Sequence, residues 1–275
     1  MAATSSAASR VVTKGGSVLL LAGLYIFLYA PIVYVIYISF NKDLIWPFPP
    51  QWTLDAYELL WTSTSYKEAL WNSVLLGFGS AILCTVFATM GSISILKYRS
   101  RWRGLIAVIY LAPLFIADLL VGISSLLFNR QVLDLPGNMG SAMIANAVHG
   151  TSFAFLIMIA QLARYDWRLD DAAMVFGAKP LRCFWEITLP IIWPAMLGAF
   201  IIAFILAFNN LEISFYNLGA IPTLPTIAWG SLRFGLSQSS ELFALAALVN
   251  GAVLLAFTVM YVLMRYRIVS FGHRE

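Results

Sequence analysis

The chain has 275 residues, of which 61% are apolar and 11% are charged, and its mean hydropathy is +0.83. Soluble domains average roughly 45–50% apolar and about 25% charged residues, so this composition excludes a water-soluble fold. The net charge of +4 does not indicate a nucleic-acid partner, because the basic residues flank apolar stretches instead of gathering on a polar face. The composition therefore predicts a protein whose main solvent is membrane lipid.

Six apolar stretches are long enough to cross a membrane as helices. A span needs about 20 apolar residues, because a helix rises ~1.5 Å per residue through roughly 30 Å of hydrocarbon. The first stretch follows two basic residues, and its length favours an uncleaved anchor over a signal peptide. We therefore expect an all-α membrane protein with six transmembrane helices, at residues 18–40, 72–96, 104–128, 139–163, 187–211 and 242–264.

The basic residues are distributed unequally between the two sides of the membrane. With the N-terminus inside, the inner segments hold thirteen of the 17 Lys and Arg residues, and cytoplasmic loops usually carry such an excess. We therefore expect both termini to be cytoplasmic. The inner residues are Arg10, Lys14, Lys97, Arg99, Arg101, Arg103, Arg164, Arg168, Lys179, Arg182, Arg265, Arg267 and Arg274, and the outer ones are Lys42, Lys67, Arg130 and Arg233.

The segments between the predicted spans are too short for a separate polar domain. We expect one transmembrane domain over residues 17–268, with cytoplasmic tails at residues 1–16 and 269–275. Four tryptophans flank the first outer loop, where an aromatic belt at the membrane interface is the simpler interpretation and a substrate-binding aromatic box is the alternative. They are Trp46, Trp52, Trp61 and Trp71.

The inner segment at residues 164–190 is long for a loop between spans and has the features of ordered structure. Asp170 and Asp171 suit the first turn of a short helix through the helix dipole, and Gly177 is a natural place for that helix to end. Pro180 then favours the first turn of a second helix. We expect that second helix to lead to a bend at Pro190.

A fixed set of residues in this segment resembles the "EAA" loop of ABC importer permeases, with Asp in place of Glu at its first position. In that family the loop is a coupling helix that docks on the ATP-binding subunit. The alternative is an ordinary linker in which small residues merely pack. The residues that carry the resemblance are Asp171, Ala172, Ala173, Gly177, Ile187, Leu189 and Pro190.

Further short motifs over roughly residues 60–268 resemble the spermidine/putrescine-type permeases of that family. Two departures are Ala117, where the pattern has proline, and Asn209-Asn210, where it has an acidic pair. The resemblance implies the type I ABC importer permease fold and a polyamine or related amine as cargo, while the departures leave other small organic solutes open, such as opines and aminophosphonates. The motifs are Leu111-Ala112-Pro113 followed by Asp118, His149 to Phe153, and Thr223-Leu224-Pro225 with Ser231 and Arg233.

The resemblance also implies the machinery around the chain. It implies a bacterial inner-membrane location, a homologous second permease, a dimer of ATP-binding subunits and an external solute-binding protein. ATP and Mg would be bound by the partner ATPase, because no lysine of this chain is followed by Ser or Thr as a P-loop requires. We therefore expect a transport subunit that is not an enzyme and that holds no cofactor or metal. A stand-alone secondary carrier and an intramembrane enzyme are the rival classes.

Four polar residues within or beside the spans are candidates for the substrate pathway: Asp118, Asn209, Asn210 and Glu212. A straight helix would carry Asp118 about 22 Å from Arg103, where a charge is costly and needs a reason to stay. Asp118 is either a carboxylate for a cationic cargo or a hydrogen-bonded structural residue near Pro113. Glu212 is either a pathway residue or an ordinary interfacial carboxylate, and His149 is either a buried structural histidine or a proton relay.

Overall fold

The computed structural model describes residues 3–42, 48–98, 101–233 and 240–271. These residues form helices and connecting segments, with one isolated antiparallel bridge between Asn41 and Trp52 and no strand among them. The predicted all-α class is confirmed. In order, the α-helices are α1 (Ala3–Ser39), α2 (Asp55–Thr62), α3 (Thr64–Leu96), α4 (Arg103–Leu111), α5 (Asp118–Gln131), α6 (Met139–Leu162), α7 (Arg168–Val175), α8 (Pro180–Cys183), α9 (Leu189–Asn209), α10 (Glu212–Asn217), α11 (Leu224–Arg233) and α12 (Ser240–Phe271).

Four of the described helical segments are long and apolar enough to cross a membrane. They are Leu20–Ser39, Thr64–Leu96, Met139–Leu162 and Pro180–Asn209, and a fifth span results if the bent pair Arg103–Phe115 and Asp118–Gln131 is one crossing. The structure supports an apolar helical stretch in α12 over Ser240–Leu255, which covers only part of the sixth predicted span. The sixth predicted span, at residues 242–264, therefore stays a prediction.

The two predicted tails meet the structure differently. Helix α1 begins at Ala3, inside the segment 1–16 that was expected to be the N-terminal tail. Residues 272–275 of the predicted C-terminal tail lie outside the described residues, as do Trp46 of the first outer loop and Arg99 of the inner basic set.

The chain divides into two compact units, Thr64–Gly230 and the combination of Met1–Ser63 with Ser231–Glu275. In the second of these, α1 and α2 both pack against α12. Ser39 Oγ lies 2.7 Å from Tyr57 Oη, which joins the end of α1 to α2. Asn41 Oδ1 accepts a hydrogen bond of 3.0 Å from the backbone N–H of Gln51, so the segment after α1 folds back on itself.

The core of the Thr64–Gly230 unit is the packing of α3, α6 and α9. Small residues dominate the contact, because helices in lipid associate by close backbone approach and by interhelical hydrogen bonds. Gly150 of α6 faces Cys84 of α3 so closely that a β-carbon there would lie 2.8 Å from the sulfur. Ser80 Oγ donates to the backbone oxygen of Met143 at 3.2 Å. The buried core is Ala81, Cys84, Ala88, Ala147, Ala154, Phe155, Met158, Leu162, Tyr165, Ile192, Ala199 and Ala203.

The third predicted span, at residues 104–128, is not the straight helix that was expected. After α4 the chain narrows to a 3₁₀ turn at Ala112–Phe115, becomes extended at Ile116 and Ala117, and restarts as α5 at an angle of 108°. Pro113 lies where the α-helix tightens to the 3₁₀ turn that precedes the break, because proline lacks the N–H that a continuing α-helix needs. Asp118 directly follows the break, so its estimated depth of about 22 Å, which assumed an uninterrupted helix, stays a prediction.

Candidate functional site

The segment at residues 164–190 begins with a helix that ends in a specific cap. Helix α7 carries both predicted acidic residues in its first turn. At its end, the N–H of Gly177 donates to Met174 O and the N–H of Ala178 to Ala173 O, each at 3.0 Å, which is the Schellman pattern. Gly177 has a φ of +89°, in the left-handed region that favours glycine. The predicted helix and its end at Gly177 are confirmed.

The second half of the segment is helical without interruption from Pro180 to Asn209. Pro180 occupies the first turn, as predicted. A π-helical turn at Phe184–Thr188 contains Ile187, and α9 follows with Leu189 and Pro190 at its start. The expected bend at Pro190 is therefore not a helix end. The wider π turn just before Pro190 accommodates a residue that cannot donate a backbone hydrogen bond.

Large apolar side chains project from the segment where its two helices meet. Val175 is 84% exposed, Phe176 is 92% exposed and Leu181 is 71% exposed, and Trp185 is also exposed. Contiguous apolar surface outside the lipid is characteristic of a protein–protein contact. We call Val175, Phe176, Leu181 and Trp185 the loop tip. Three residues of the predicted coupling set lie close to it in sequence: Asp171 and Ala172 are exposed, and Ala173 is half-buried.

The neighbouring acid, Asp170, is fully buried and has three side-chain partners. Its Oδ2 pairs with Lys97 Nζ, and its Oδ1 accepts from Tyr165 Oη at 2.7 Å and from Thr188 Oγ1 at 3.0 Å. Burial raises the pKa of Asp170, but these hydrogen bonds and the Lys97 charge outweigh it and hold the pKa below its ordinary value. We call Lys97, Tyr165, Asp170 and Thr188 the Asp170 cluster.

The sequence analysis assigned Asp170 only to the start of α7 and missed its partners. Adjacent helical residues point about 100° apart, so two neighbouring acids cannot both face the protein. That spacing predicts one buried and one exposed carboxylate, without saying which. Lys97 follows the second predicted span on the same side of the membrane, and this placement was the available signal for an ion pair.

The second candidate site lies where α5 restarts after the broken span. Asp118 is the first residue of α5, and 31% of its side chain is exposed. Asn210 Nδ2 donates to Asp118 Oδ2 at 2.8 Å. His149 Nδ1 of α6 lies 3.1 Å from Asp118 Oδ1, although that nitrogen makes no hydrogen bond within the described part of the chain. Three helices thus converge on one carboxylate that solvent or a ligand can still reach.

The other two predicted pathway residues do not join this group. Asn209 is exposed and donates back to Ile205 O of its own helix at 3.1 Å. Glu212 is exposed at the first turn of α10. Asn210 has a second role, because its Oδ1 accepts from the N–H of Ile213 at 2.7 Å and so fixes the start of α10. The structure therefore brings together Asp118, Asn210 and His149.

Within the described ranges, no group of three or more His, Cys, Asp and Glu side chains is arranged to hold a metal ion. Cys84 and Cys183 are both buried and unpaired with each other.

The sequence is similar to permease proteins of known transport systems, although no family model matches it. The putrescine transport system permease protein PotI of Escherichia coli strain K12 is 30% identical over 257 residues, which covers 90% of this chain and 90% of PotI. The spermidine/putrescine transport system permease protein PotC of Haemophilus influenzae is 25% identical over 234 residues, or 82% of this chain and 87% of PotC.

The fold is similar to solved ABC transporter structures. A chain of a bacterial ABC transporter involved in the import of the acidic polysaccharide alginate matches with a TM-score of 0.73 at 17% identity, covering 94% of this chain and 97% of that one. A second structure, the alginate transporter in complex with a pentasaccharide-bound periplasmic protein, matches with a TM-score of 0.63, also at 17% identity, covering 94% and 96%.

Proposed function

Because the chain belongs to the permease family of polyamine-type ABC importers, as the sequence resemblance predicted, we propose that it moves a small organic amine across the inner membrane. The chain is a multi-pass inner-membrane permease subunit with the fold of ABC importer permeases. The relatives serve putrescine and spermidine/putrescine transport. We take putrescine, or a related amine or amino-acid-like compound, as the proposed cargo.

A partner supplies the energy in this proposal. The sequence has no P-loop, so ATP and Mg are assigned to a dimer of ATP-binding subunits, and this chain is assigned no catalytic step. The observation that carries the proposal is the loop tip, where Val175, Phe176 and Leu181 expose apolar side chains beside the exposed Asp171. An apolar projection of this size fits a groove on a partner protein.

The remaining partners and the orientation follow from the same assignment. A homologous second permease completes the membrane pathway, and a periplasmic solute-binding protein delivers the cargo. The alginate transporter, in whose structure a periplasmic protein is present, supports that arrangement. The loop tip meets the ATPase in the cytoplasm, so the inner side is the basic one and both chain termini are cytoplasmic. The whole of residues 17–268 acts as one permease domain.

Movement at the loop tip would drive alternating access at a central pathway. ATP-dependent closure of the ATPase dimer displaces α7, and the helices packed against α7 reorient. Ile187, Leu189 and Pro190 lie on the continuous helix that joins the loop to the fifth predicted span, which gives the movement a direct route into the membrane.

Asp118 provides the cation site in the proposed pathway. Its carboxylate is partly exposed, accepts a hydrogen bond from Asn210 and lies beside His149. A cationic amine approaching Asp118 would gain the attraction of a formal charge in a medium of low dielectric constant. Asn209 and Glu212 do not join this group, and their predicted place on the pathway stays a prediction.

One observation favours a second cargo class. Asn209 and Asn210 replace the acidic pair of the polyamine pattern, and Asn210 already donates to Asp118. The site therefore offers one formal negative charge beside neutral hydrogen-bonding groups. Such a site suits a zwitterion or a solute with a single positive charge, such as an opine or an aminophosphonate, as well as it suits putrescine.

The loop tip gives the sharpest test. Phe176→Asp changes a side chain that is 92% exposed, so it leaves the chain's own packing intact while placing a charge on the docking surface. We expect the ATPase to be lost when the complex is purified through a tag on this chain, together with ATP-driven putrescine uptake into proteoliposomes. The matched control is Tyr98→Asp, an exposed aromatic residue outside the loop, which should retain the ATPase.

Two outcomes would contradict the proposal. Retention of the ATPase by Phe176→Asp would remove the docking role of the loop tip. Putrescine uptake by the purified chain without any ATPase would instead identify a stand-alone secondary carrier, and turnover of putrescine to a product would identify an enzyme.

A further inference from the structure

The Asp170 cluster connects α7 to the three helices that form the core of the Thr64–Gly230 unit. Lys97 directly follows α3 and continues its hydrogen bonding, since its N–H donates to Ile93 O at 2.9 Å. Tyr165 follows the end of α6, and Thr188 directly precedes α9. One carboxylate on α7 therefore contacts the cytoplasmic ends of α3, α6 and α9 at once.

Burial makes the geometry of this cluster specific. Asp170 is fully buried and Lys97 is mostly buried, with 21% of its side chain exposed. A buried carboxylate is costly unless donors surround it, and here three side chains from three segments supply them. Burial raises the pKa of Tyr165 to about 12, so its hydroxyl remains a donor at neutral pH.

Two aromatic rings restrict the lysine further. Lys97 Nζ lies 5.4 Å from the centroid of the Trp167 ring, a cation–π distance. The Tyr165 and Trp167 rings pack edge to face with centroids 4.8 Å apart. The Lys97 ammonium therefore lies between the Asp170 carboxylate and the Trp167 indole. The Trp167 ring packs in turn against Tyr165, a member of the cluster.

The chain connects α7 to the spans through two short non-helical connections, 163–167 and 176–179, and α7 also packs against α8 and the π-helical turn. The second connection contains Gly177, whose φ of +89° belongs to the Schellman cap. None of these contacts reaches α3, and the Lys97–Asp170 ion pair is the charged contact that joins α7 to the end of that helix.

We propose that the Lys97–Asp170 ion pair is the mechanical link that makes α7 and α3 move together, so that ATP-driven displacement of the loop tip reaches the transport pathway. This inference rests on the proposed docking function. Lys97 and Asp170 are positioning residues, since neither lies at the exposed loop tip or beside Asp118.

The test removes the link while preserving the fold. Breaking one half of a buried ion pair destabilises a protein, whereas neutral replacement of both halves is often tolerated. In the double variant Lys97→Met, Asp170→Asn, the asparagine oxygen still accepts from Tyr165 or Thr188, but the connection to α3 is lost. We expect assembly and ATP hydrolysis to persist while putrescine transported per ATP falls about tenfold, the usual size of a coupling effect.

Two variants control for general disturbance. Lys97→Arg retains a cation that can donate to Asp170, and it should keep most of the coupling. Arg103→Met removes an exposed basic residue near the same end of α3 and should leave coupling unchanged. A purely structural role would lower the amount of assembled complex rather than the ratio of transport to hydrolysis.

Cys183 provides a readout that does not depend on the cargo. It is buried beneath α7, with its sulfur 3.9 Å from the backbone oxygen of Asp170. Once α7 is free to separate from the spans, this thiol becomes accessible. We expect maleimide labelling of Cys183 in the purified complex to be about tenfold faster in the double variant than in wild type or Lys97→Arg.

The possible outcomes distinguish this inference from the proposed docking function on which it rests. Unchanged coupling and unchanged Cys183 labelling in the double variant, with loss of the ATPase in Phe176→Asp, would overturn the link and leave docking intact. Normal ATPase retention in Phe176→Asp would overturn docking itself.

If the wild-type complex does not carry putrescine, the proposed cargo is wrong, and the Cys183 labelling rates still decide whether the link exists. If the double variant does not assemble, the same two measurements on Lys97→Gln, which removes the ion pair but leaves Asp170 its donors Tyr165 and Thr188, decide it.

Discussion

Asp118 is the residue that most constrains the chemistry of the cargo. Its carboxylate lies between an amide and an imidazole, so the described site holds one formal negative charge instead of a cluster of acids. A cation bound there competes with His149 for the same carboxylate, whose Oδ1 is 3.1 Å from the histidine nitrogen. Affinity for a second ammonium group must come from elsewhere in the complex.

Replacing Asp118 with asparagine tests its charge without changing its shape. We expect Asp118→Asn to lower putrescine uptake at least tenfold, because the attraction of a formal charge in a medium of low dielectric constant is lost. Assembly and basal ATP hydrolysis should persist, since an asparagine oxygen still accepts from Asn210. Uptake into proteoliposomes, with purification of the complex through a tag on this chain, measures both.

Glu212→Gln is the matched control for that substitution. Glu212 is also an acidic pathway candidate, but its side chain is exposed and does not join the Asp118 group. Its loss should leave uptake within about twofold of wild type. Wild-type uptake by Asp118→Asn would show that Asp118 is structural, and failure of that variant to assemble would show that it is a buried hydrogen-bonding residue.

At the level of secondary-structure elements, the sequence predicted the short helices of the 164–190 segment more accurately than the span at residues 104–128. The start of α7, its end at Gly177 and the first turn at Pro180 each depend on residues within one turn, and all three are confirmed. The span at residues 104–128 was predicted from hydropathy averaged along the chain. Such an average contains no information about a change in the direction of the helix axis. Pro113 indicates a break, but the angle of 108° depends on packing against α6 and α10.

The same distinction explains what the sequence revealed about the candidate sites. Spacing along one segment identified Asp171, Ala172 and Gly177 but not the exposed apolar side chains of the loop tip. The Lys97–Asp170 pair joins residues 73 positions apart, and the Asp118–Asn210 hydrogen bond joins residues 92 positions apart. Such contacts are set by which helices pack together, so hydropathy and local propensity could not distinguish Asp170 from Asp171 or Asn210 from Asn209.

Gly177 tests whether the end of α7 must be held in its observed shape. Valine at a φ of +89° is strongly strained, whereas asparagine tolerates the left-handed region. A β-carbon at Gly177 meets no atom within 4 Å, so the strain arises from the backbone and not from crowding. We expect Gly177→Val to reduce ATPase retention and uptake about tenfold, and Gly177→Asn to change either by less than about threefold. Equal behaviour of the two variants would contradict a role for the cap.

At the scale of the whole molecule, the charge distribution and the loop tip make the same prediction about orientation. Thirteen basic residues on one side against four on the other predict that residues 164–190 lie in the cytoplasm, where an ATPase would be. Cys183 is a poor reporter of that side, because its side chain is 1% exposed.

Exposed cysteines introduced at two positions can report the orientation directly. Phe176→Cys places a thiol on the loop tip, and Leu135→Cys places one in the segment between α5 and α6, predicted to be outside. Both native cysteines are buried, so an impermeant maleimide reports mainly the introduced thiol. In spheroplasts we expect Leu135→Cys to be labelled at once and Phe176→Cys only after permeabilisation, because the inner loops carry the positive charge that retains them in the cytoplasm. The reverse pattern would place the loop tip outside and leave no ATPase within its reach.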